Sequence, residues 1–395
     1  MSSSDVPYEI DTDWVHIAYA EGAAFTETYG FAGTQGVVNL EGIRMRPRGR
    51  DSRTLLVYMH PASTLQLLPV PRAAVQHGAH VLCAASRYAK NDTALILEKV
   101  LLDLGAYVRH ARDVWGYHKV VLVGWSGGGS LALFYQAQAE RATITHTPGG
   151  DPVDLARAGL APADAVIFQA AHISRAALLL DTIDPSVRDE LDPDDRDVAL
   201  DLYDPRNPNR PPYDASFIAR YRLAQRERVE RITARVKDTL AALKRRGSGE
   251  VERGFIVHRT LADPRFLDAS IDPNGRRPGW CYLGNPETVN SGPVGLARFS
   301  TLRSWLSQWS PADTNADGLA CVARIAAPLL VIENGADDAV PQPHPGLVFA
   351  AATTRDKTMH VVQRGTHYYA GQPGQIAEAT TTVRRWLAER GLVEG

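Results

Sequence analysis

Cysteine is scarce in this chain. The three present, Cys83, Cys281 and Cys321, are odd in number, far apart and without Cys-x-x-Cys spacing. Such a set supports neither a disulfide framework nor a zinc site, so no metal is expected. Cys83, inside AHVLCAAS, reads as a small buried residue. Long apolar runs are also missing: no stretch approaches the roughly 20 residues that cross a bilayer. The opening MSSSDVPYEIDTDW lacks the basic start and apolar centre of a secretory leader, so a cytoplasmic protein is expected. Nor is charge of one sign in excess. Lys and Arg number 43 against 45 Asp and Glu, interleaved, for a net charge of −2. That balance offers no electrostatic footing for nucleic acid or an anionic membrane surface, and neither is expected as a partner.

What is present is ordinary for a globular chain: 44% apolar and 22% charged residues. At 395 residues the chain exceeds a minimal single core, so a second domain or a large insertion is expected. Its most informative segment is KVVLVGWSGGG, Lys119 to Gly129. An apolar β-run ends in Gly124-Trp125-Ser126-Gly127-Gly128, and ALFYQAQAER follows as a helix. This is the pattern of a nucleophile elbow. The strand turns so sharply into the helix that the serine is strained, its hydroxyl projects, and its neighbours must be small. The helix N-terminus would aim N–H groups and partial positive charge at it. The plainer alternative is a strand-to-helix turn carrying an incidental serine.

Two downstream segments argue against that alternative. APLLVIEN is followed by Gly335-Ala336-Asp337-Asp338-Ala339-Val340-Pro341, and MHVVQRGTHYYAG places His367 just past another apolar run. Serine, aspartate and histidine thus occur in that order, each just after the end of a predicted strand. A serine hydroxyl is a weak nucleophile at neutral pH, so an imidazole must take its proton and later return it to the leaving group. A carboxylate would hold that imidazole in the productive tautomer. His367 alone would read as a core or surface histidine. Its glycine-flanked turn, placed before the amphipathic GQIAEATTTVRRWLAERG, favours the catalytic role.

The elbow, the order of the three residues and their places after strands resemble the α/β-hydrolase superfamily. The resemblance covers about two-thirds of the chain. It implies Ser126 as nucleophile, His367 as base and Asp337 as the orienting acid. Matching the strand end to the family pattern puts Asn334 where a glycine usually stands, which favours Asp337 over its neighbour Asp338. Many members carry a His-Gly pair at the oxyanion loop, where this chain has His60-Pro61-Ala62-Ser63. Proline has no N–H to donate, so the expected oxyanion hole is the backbone N–H of Ala62 with that of Gly127. His60 reads either as a brace for this turn or as a substrate contact. Ser63 and Thr64 are further hydroxyl donors that the sequence leaves undecided.

Organisation follows from the alternation of apolar runs and helical stretches. Strand candidates GVVNLEGIRM, TLLVYMH, HVLCAAS, KVVLVGW and DAVIFQAA, with helices such as TALILEKVLLDLGAYVRHARDVWG between them, predict a mostly parallel, doubly wound α/β sheet covered on both faces. The expected core is 1–172 with 319–395, and 173–318 is an insertion of different composition. By the resemblance, an insertion after the sixth strand of the core folds over the site as a helical cap and shapes the pocket.

Within the insertion, Asp192, Asp194, Asp195 and Asp197 lack the glycine and distal glutamate of a calcium loop and read as a solvated acidic turn. Arg220, Arg222, Arg226, Arg228, Arg231 and Arg235 are interspersed with Glu227, Glu230 and Asp238 on one helix. They read as an exposed or subunit-contact face, which keeps a homo-oligomer open. Trp280, Tyr282, Phe299, Trp305 and Trp309 either pack the insertion or line a large apolar pocket. Arg87-Tyr88 follows a strand on the ligand-binding side of the sheet, with Asn91 or Asp92 as start of the next helix. Trp125 either walls the pocket or packs beneath it, and His172 at the core-to-insertion boundary stays unassigned. Tyr88, Trp125, Trp280 and His60 are thus the candidate substrate contacts.

The expected function is hydrolysis of a carboxylic ester or lactone, with a small-molecule substrate that is bulky and hydrophobic, through an acyl-serine. No cofactor is needed. The same triad would also serve amide or carbon–carbon cleavage or acyl transfer to an alcohol, and a catalytically silent ligand-binding protein is the alternative from another class.

Overall fold

The computed structural model describes residues 7–21, 36–247, 249–340 and 342–393. The first six residues of the polar N-terminus and Pro341 of the acid-bearing turn lie outside the described residues. The chain begins with β1 (Ile10–Ala20), β2 (Val37–Pro47) and β3 (Thr54–His60), then α1 (Pro69–Gln76), β4 (His80–Ala85) and α2 (Leu97–Asp113). It continues through β5 (Lys119–Ser126), α3 (Gly127–Glu140) and β6 (Ala165–Ala171). After a long excursion come β7 (Leu329–Asn334) and β8 (Lys357–Val362).

These strands form one eight-stranded sheet in the order β1-β2-β4-β3-β5-β6-β7-β8. It is parallel from β4 to β8, and β2 and β1 add antiparallel at one edge. Every residue of β3, β4 and β6 is buried, as their unbroken apolar runs require when both faces are covered. On one face, α2 and α3 supply Leu101, Tyr107, Leu133 and Phe134 to the core. On the other, α1 and the final helix (Pro373–Ala388) supply Val75, Val383 and Trp386. The parallel arrangement sends the carboxyl ends of β3, β5, β6, β7 and β8 to one edge, where open α/β sheets bind ligands.

β1 is an addition to the expected strand set. Its exposure alternates, with Val15 and Ile17 buried and Trp14 outward, so its polar half masks the strand in a reading based on apolar runs. The helix expected to begin at Asn91 or Asp92 begins at Leu97 instead. Asn91 Oδ1 accepts the N–H of Thr93 at 3.1 Å, and Asp92 pairs with Arg175.

Between β6 and β7 the excursion contains α4 (Arg175–Thr182), the 32-residue α5 (Ala215–Arg246) and α6 (Leu302–Gln308). Asp214 caps α5 by accepting the N–H of Phe217 at 2.7 Å, and Gly247 ends it in the left-handed conformation at φ 60°. The excursion has its own core, built around Ile232, Val236, Leu240, Leu306, Trp305 and Trp309. The basic face of α5 is not uniformly exposed. Arg228 is fully buried, with its guanidinium on Glu190 at 2.7 Å and on the carbonyls of Asp184 and His258.

The excursion also crosses the carboxyl edge of the sheet. Ser307 accepts the N–H of Leu97 and donates to Glu98, both at 2.9 Å, on the β4 side. Tyr282 N–H donates to the Asp338 carbonyl at 3.0 Å, and Gly275 N–H to the Gly335 carbonyl at 2.9 Å, on the β7 side. Among the described residues no helix is long and apolar enough to cross a membrane.

Candidate active site

At the end of β5 the backbone of Ser126 sits at φ 55° and ψ −125°, a conformation costly for a residue with a Cβ. Pairing with β6 slips there, so that Trp125 faces Gln169 and Ser126 faces Ala171. The turn closes only because its neighbours lack side chains. A Cβ on Gly124 would lie 2.3 Å from the Gly128 carbonyl oxygen, and one on Gly128 only 2.2 Å from that of Met59. The small residues around Ser126 are therefore a packing requirement of α3 against β3 and β5.

His367 and Asp337 come from the loops after β8 and β7. His367 is buried, and its Nδ1 lies 3.1 and 3.2 Å from the two carboxylate oxygens of Asp337. Asp337 Oδ1 also accepts the N–H groups of Ala339 and Val340, which holds the carboxylate in place. Asp338 does something else: it accepts the backbone N–H of His367 at 3.1 Å. Burial and the adjacent Asp337 push the Asp338 carboxyl above its ordinary range. Of the two neighbours, then, Asp337 meets the imidazole and Asp338 the backbone that carries it. No hydrogen bond joins Ser126 to His367 among the described residues, and such contacts commonly tighten only when substrate binds.

Asn334 contributes a brace that motif reading missed. Its side chain donates to the Thr366 carbonyl at 2.8 Å and accepts from Tyr369 Oη at 2.5 Å, tying the strand end of β7 to the histidine loop. The departure from glycine at that position was the available signal.

Four other expected site residues are placed differently. Trp125 packs beneath the histidine: it is buried, its ring centroid 4.4 Å from that of His367, its Nε1 reaches the His367 carbonyl at 3.4 Å, and with His367 and Tyr368 it lines a small cavity. Alternation along β5 puts Trp125 on the same face as Val121 and Val123, the face opposite α3, and so beneath the histidine. Tyr88 is buried in the main core, and the preceding Arg87 is spent on Asp103 and Glu21. Trp280 is 41% exposed under the guanidinium of Arg277. The aromatic that reaches the site is Tyr282, two residues on, with its ring 5.9 Å from His367, joined by Tyr368 at 5.0 Å.

Ala62 is the fourth correction. Its N–H points at His60 Nδ1, 3.1 Å away, and a single N–H directed into that ring is not free for an oxyanion. Gly127 stands, as expected, at the first position of α3. Its N–H has no acceptor within the helix. Around this point His60, His172 and Arg175 are all buried. Burial, reinforced by Arg175 and His367, holds His60 well below the usual imidazole range; burial with His344 and Arg175 does the same for His172.

No family model matches the chain, and no curated protein does. Among solved structures it is similar to DcsB in complex with its substrate analogue, at a TM-score of 0.51 and 12% identity, covering 96% of this chain and 99% of that one. A hypothetical protein from Pseudomonas aeruginosa gives a TM-score of 0.49 at 12% identity, covering 98% of each chain. Brefeldin A esterase, a bacterial homologue of human hormone-sensitive lipase, gives 0.44 at 14% identity, covering 99% of this chain and 79% of that one. The sheet order, the elbow after β5 and the chain order Ser126, Asp337, His367 settle the architecture. This is an α/β-hydrolase fold. In that fold the loops after β5, β7 and β8 share one edge, so Ser126, Asp337 and His367, far apart in sequence, are carried to the same edge of the sheet.

Proposed function

We propose that this α/β-hydrolase-fold protein is a serine hydrolase that cleaves a carboxylic ester through an acyl-serine intermediate. Ser126 attacks the carbonyl carbon while His367 Nε2 takes its proton. Asp337 keeps the imidazole proton on Nδ1 and stabilises the imidazolium. The Gly127 N–H, at the positive end of α3, holds the developing oxyanion. His367 then protonates the leaving alkoxide, and a water activated by the same imidazole releases the acid. The observation that carries this reading is the imidazole bonded through Nδ1 to a carboxylate already held by two backbone N–H groups, beside a serine at φ 55°.

The insertion of residues 173–318 serves in this reading as a cap. Tyr282, which it brings to His367, and Tyr368 favour a bulky hydrophobic or aromatic acyl or alcohol portion, open-chain or as a lactone. The test is turnover of chromogenic esters of increasing acyl length and of aromatic lactones by wild type beside Ser126→Ala, with fluorophosphonate labelling of both. Turnover and labelling that vanish together in the variant are expected. Equal turnover by both proteins would refute the mechanism. A folded wild type that binds members of the panel but neither turns over nor labels would point to the silent ligand-binding alternative.

A further inference from the structure

An oxyanion hole needs two donors, and the structure leaves one place empty. Ala62 N–H donates to His60 Nδ1 at 3.1 Å, and Ser63 N–H donates to the same nitrogen at 2.9 Å. The loop is held from its other side as well: Lys90 N–H donates to the Ala62 carbonyl at 2.6 Å, and Ser86 Oγ to the Pro61 carbonyl at 2.5 Å. With both flanking carbonyls engaged, the Ala62 amide has no free rotation that would turn its N–H toward Ser126. The usual backbone donor of this loop is therefore committed elsewhere.

The ring that takes it supplies a replacement. A nitrogen that accepts two N–H groups presents its lone pair to them, so the neutral imidazole of His60 carries its proton on Nε2. That Nε2 sits against the first residue of α3: a Cβ on Gly127 would lie 2.7 Å from it. Nε2 itself has no hydrogen-bond partner among the described residues. We propose that His60 Nε2–H is the second oxyanion donor, acting beside the Gly127 N–H in place of the Ala62 amide. The assignment rests on the serine-hydrolase reading above. It also accounts for the glycine at position 127, because any side chain there would displace the ring. The cationic neighbour Arg175 and the buried setting keep the ring uncharged, so it donates a hydrogen bond without passing a proton to the intermediate.

Two variants separate the halves of the ring. In His60→Asn the amide oxygen stands near the position of Nδ1 and retains the brace to Ala62 and Ser63, while the Nε2 donor is lost. In His60→Gln the amide nitrogen stands near the position of Nε2 and retains a donor, while the brace is lost. On an ester that wild type hydrolyses, His60→Asn is expected to lower kcat roughly 10²- to 10³-fold with KM little changed, as loss of one oxyanion donor does. It should weaken a trifluoromethyl ketone, whose hemiketal oxygen occupies the hole, by a similar factor. His60→Gln is expected to stay within about tenfold of wild type. A His60→Asn enzyme with near-wild-type kcat, or a His60→Gln enzyme as impaired as His60→Asn, would overturn the assignment and leave His60 as a brace. Turnover that persists in Ser126→Ala would instead overturn the serine mechanism, and His60 with it.

Discussion

Acidification should destabilise this protein through two histidines beside the site. His60 and His172 are buried and held well below their ordinary value of 6.5. In the unfolded chain both titrate near that value. Below it the unfolded state binds protons that the folded state refuses, so stability is lost as pH falls from 6.5 toward the folded-state pKa values, and is regained above it. Each such group costs at most RT ln(1 + 10^(6.5 − pH)), the limit for a ring that stays neutral in the folded state. That is under about 0.1 kcal/mol at pH 7.5 and about 1.4 kcal/mol at pH 5.5, or ~2.7 kcal/mol for the pair. His60→Asn removes one of the two groups while retaining an acceptor for Ala62 and Ser63. The variant should lose less stability than wild type between those pH values, by up to about 1.4 kcal/mol, and contributions from every other titrating group cancel in the difference. Urea unfolding followed by tryptophan fluorescence at both pH values, at constant ionic strength, measures it. Equal losses in the two proteins would mean that folded His60 accepts a proton, and would refute both the neutral ring and the tautomer derived from it.

Two further outcomes follow from named contacts. Asp337→Asn should lower kcat on an ester substrate about 10⁴-fold by releasing the His367 tautomer, whereas Asp338→Asn, at a carboxylate that accepts the His367 backbone N–H, should cost at least an order of magnitude less. Steady-state kinetics on both variants decide it, and a larger loss at Asp338 would reverse the assignment. Arg228→Ala strands the partly buried Glu190 carboxylate and the carbonyls of Asp184 and His258. It should destabilise the protein by about 3–5 kcal/mol, with Arg228→Met costing less in the same urea measurement.

The sequence by itself determined the features that a short stretch of chain can encode. The unbroken apolar runs of β3, β4 and β6 announced strands covered on both faces, because only such strands bury every side chain. Gly124-Trp125-Ser126-Gly127-Gly128 announced the elbow, because the turn leaves no space for a Cβ atom at its three glycines. Asp337 and His367 were legible because each closely follows its strand. β1 was not, since half of its residues face water. Tertiary structure alone decided what each side chain near the site does. Trp125 and Tyr282 are both aromatic and both sit near His367, yet one packs beneath the histidine as part of the sheet and the other arrives from the insertion. Nothing local distinguishes them. The Ala62 amide shows the same limit more sharply: its sequence position matches an oxyanion donor, and its direction is set by a ring at residue 60 and by partners at residues 86 and 90. A residue's place after a strand is a property of the chain, whereas the direction of one N–H bond is a property of everything packed around it.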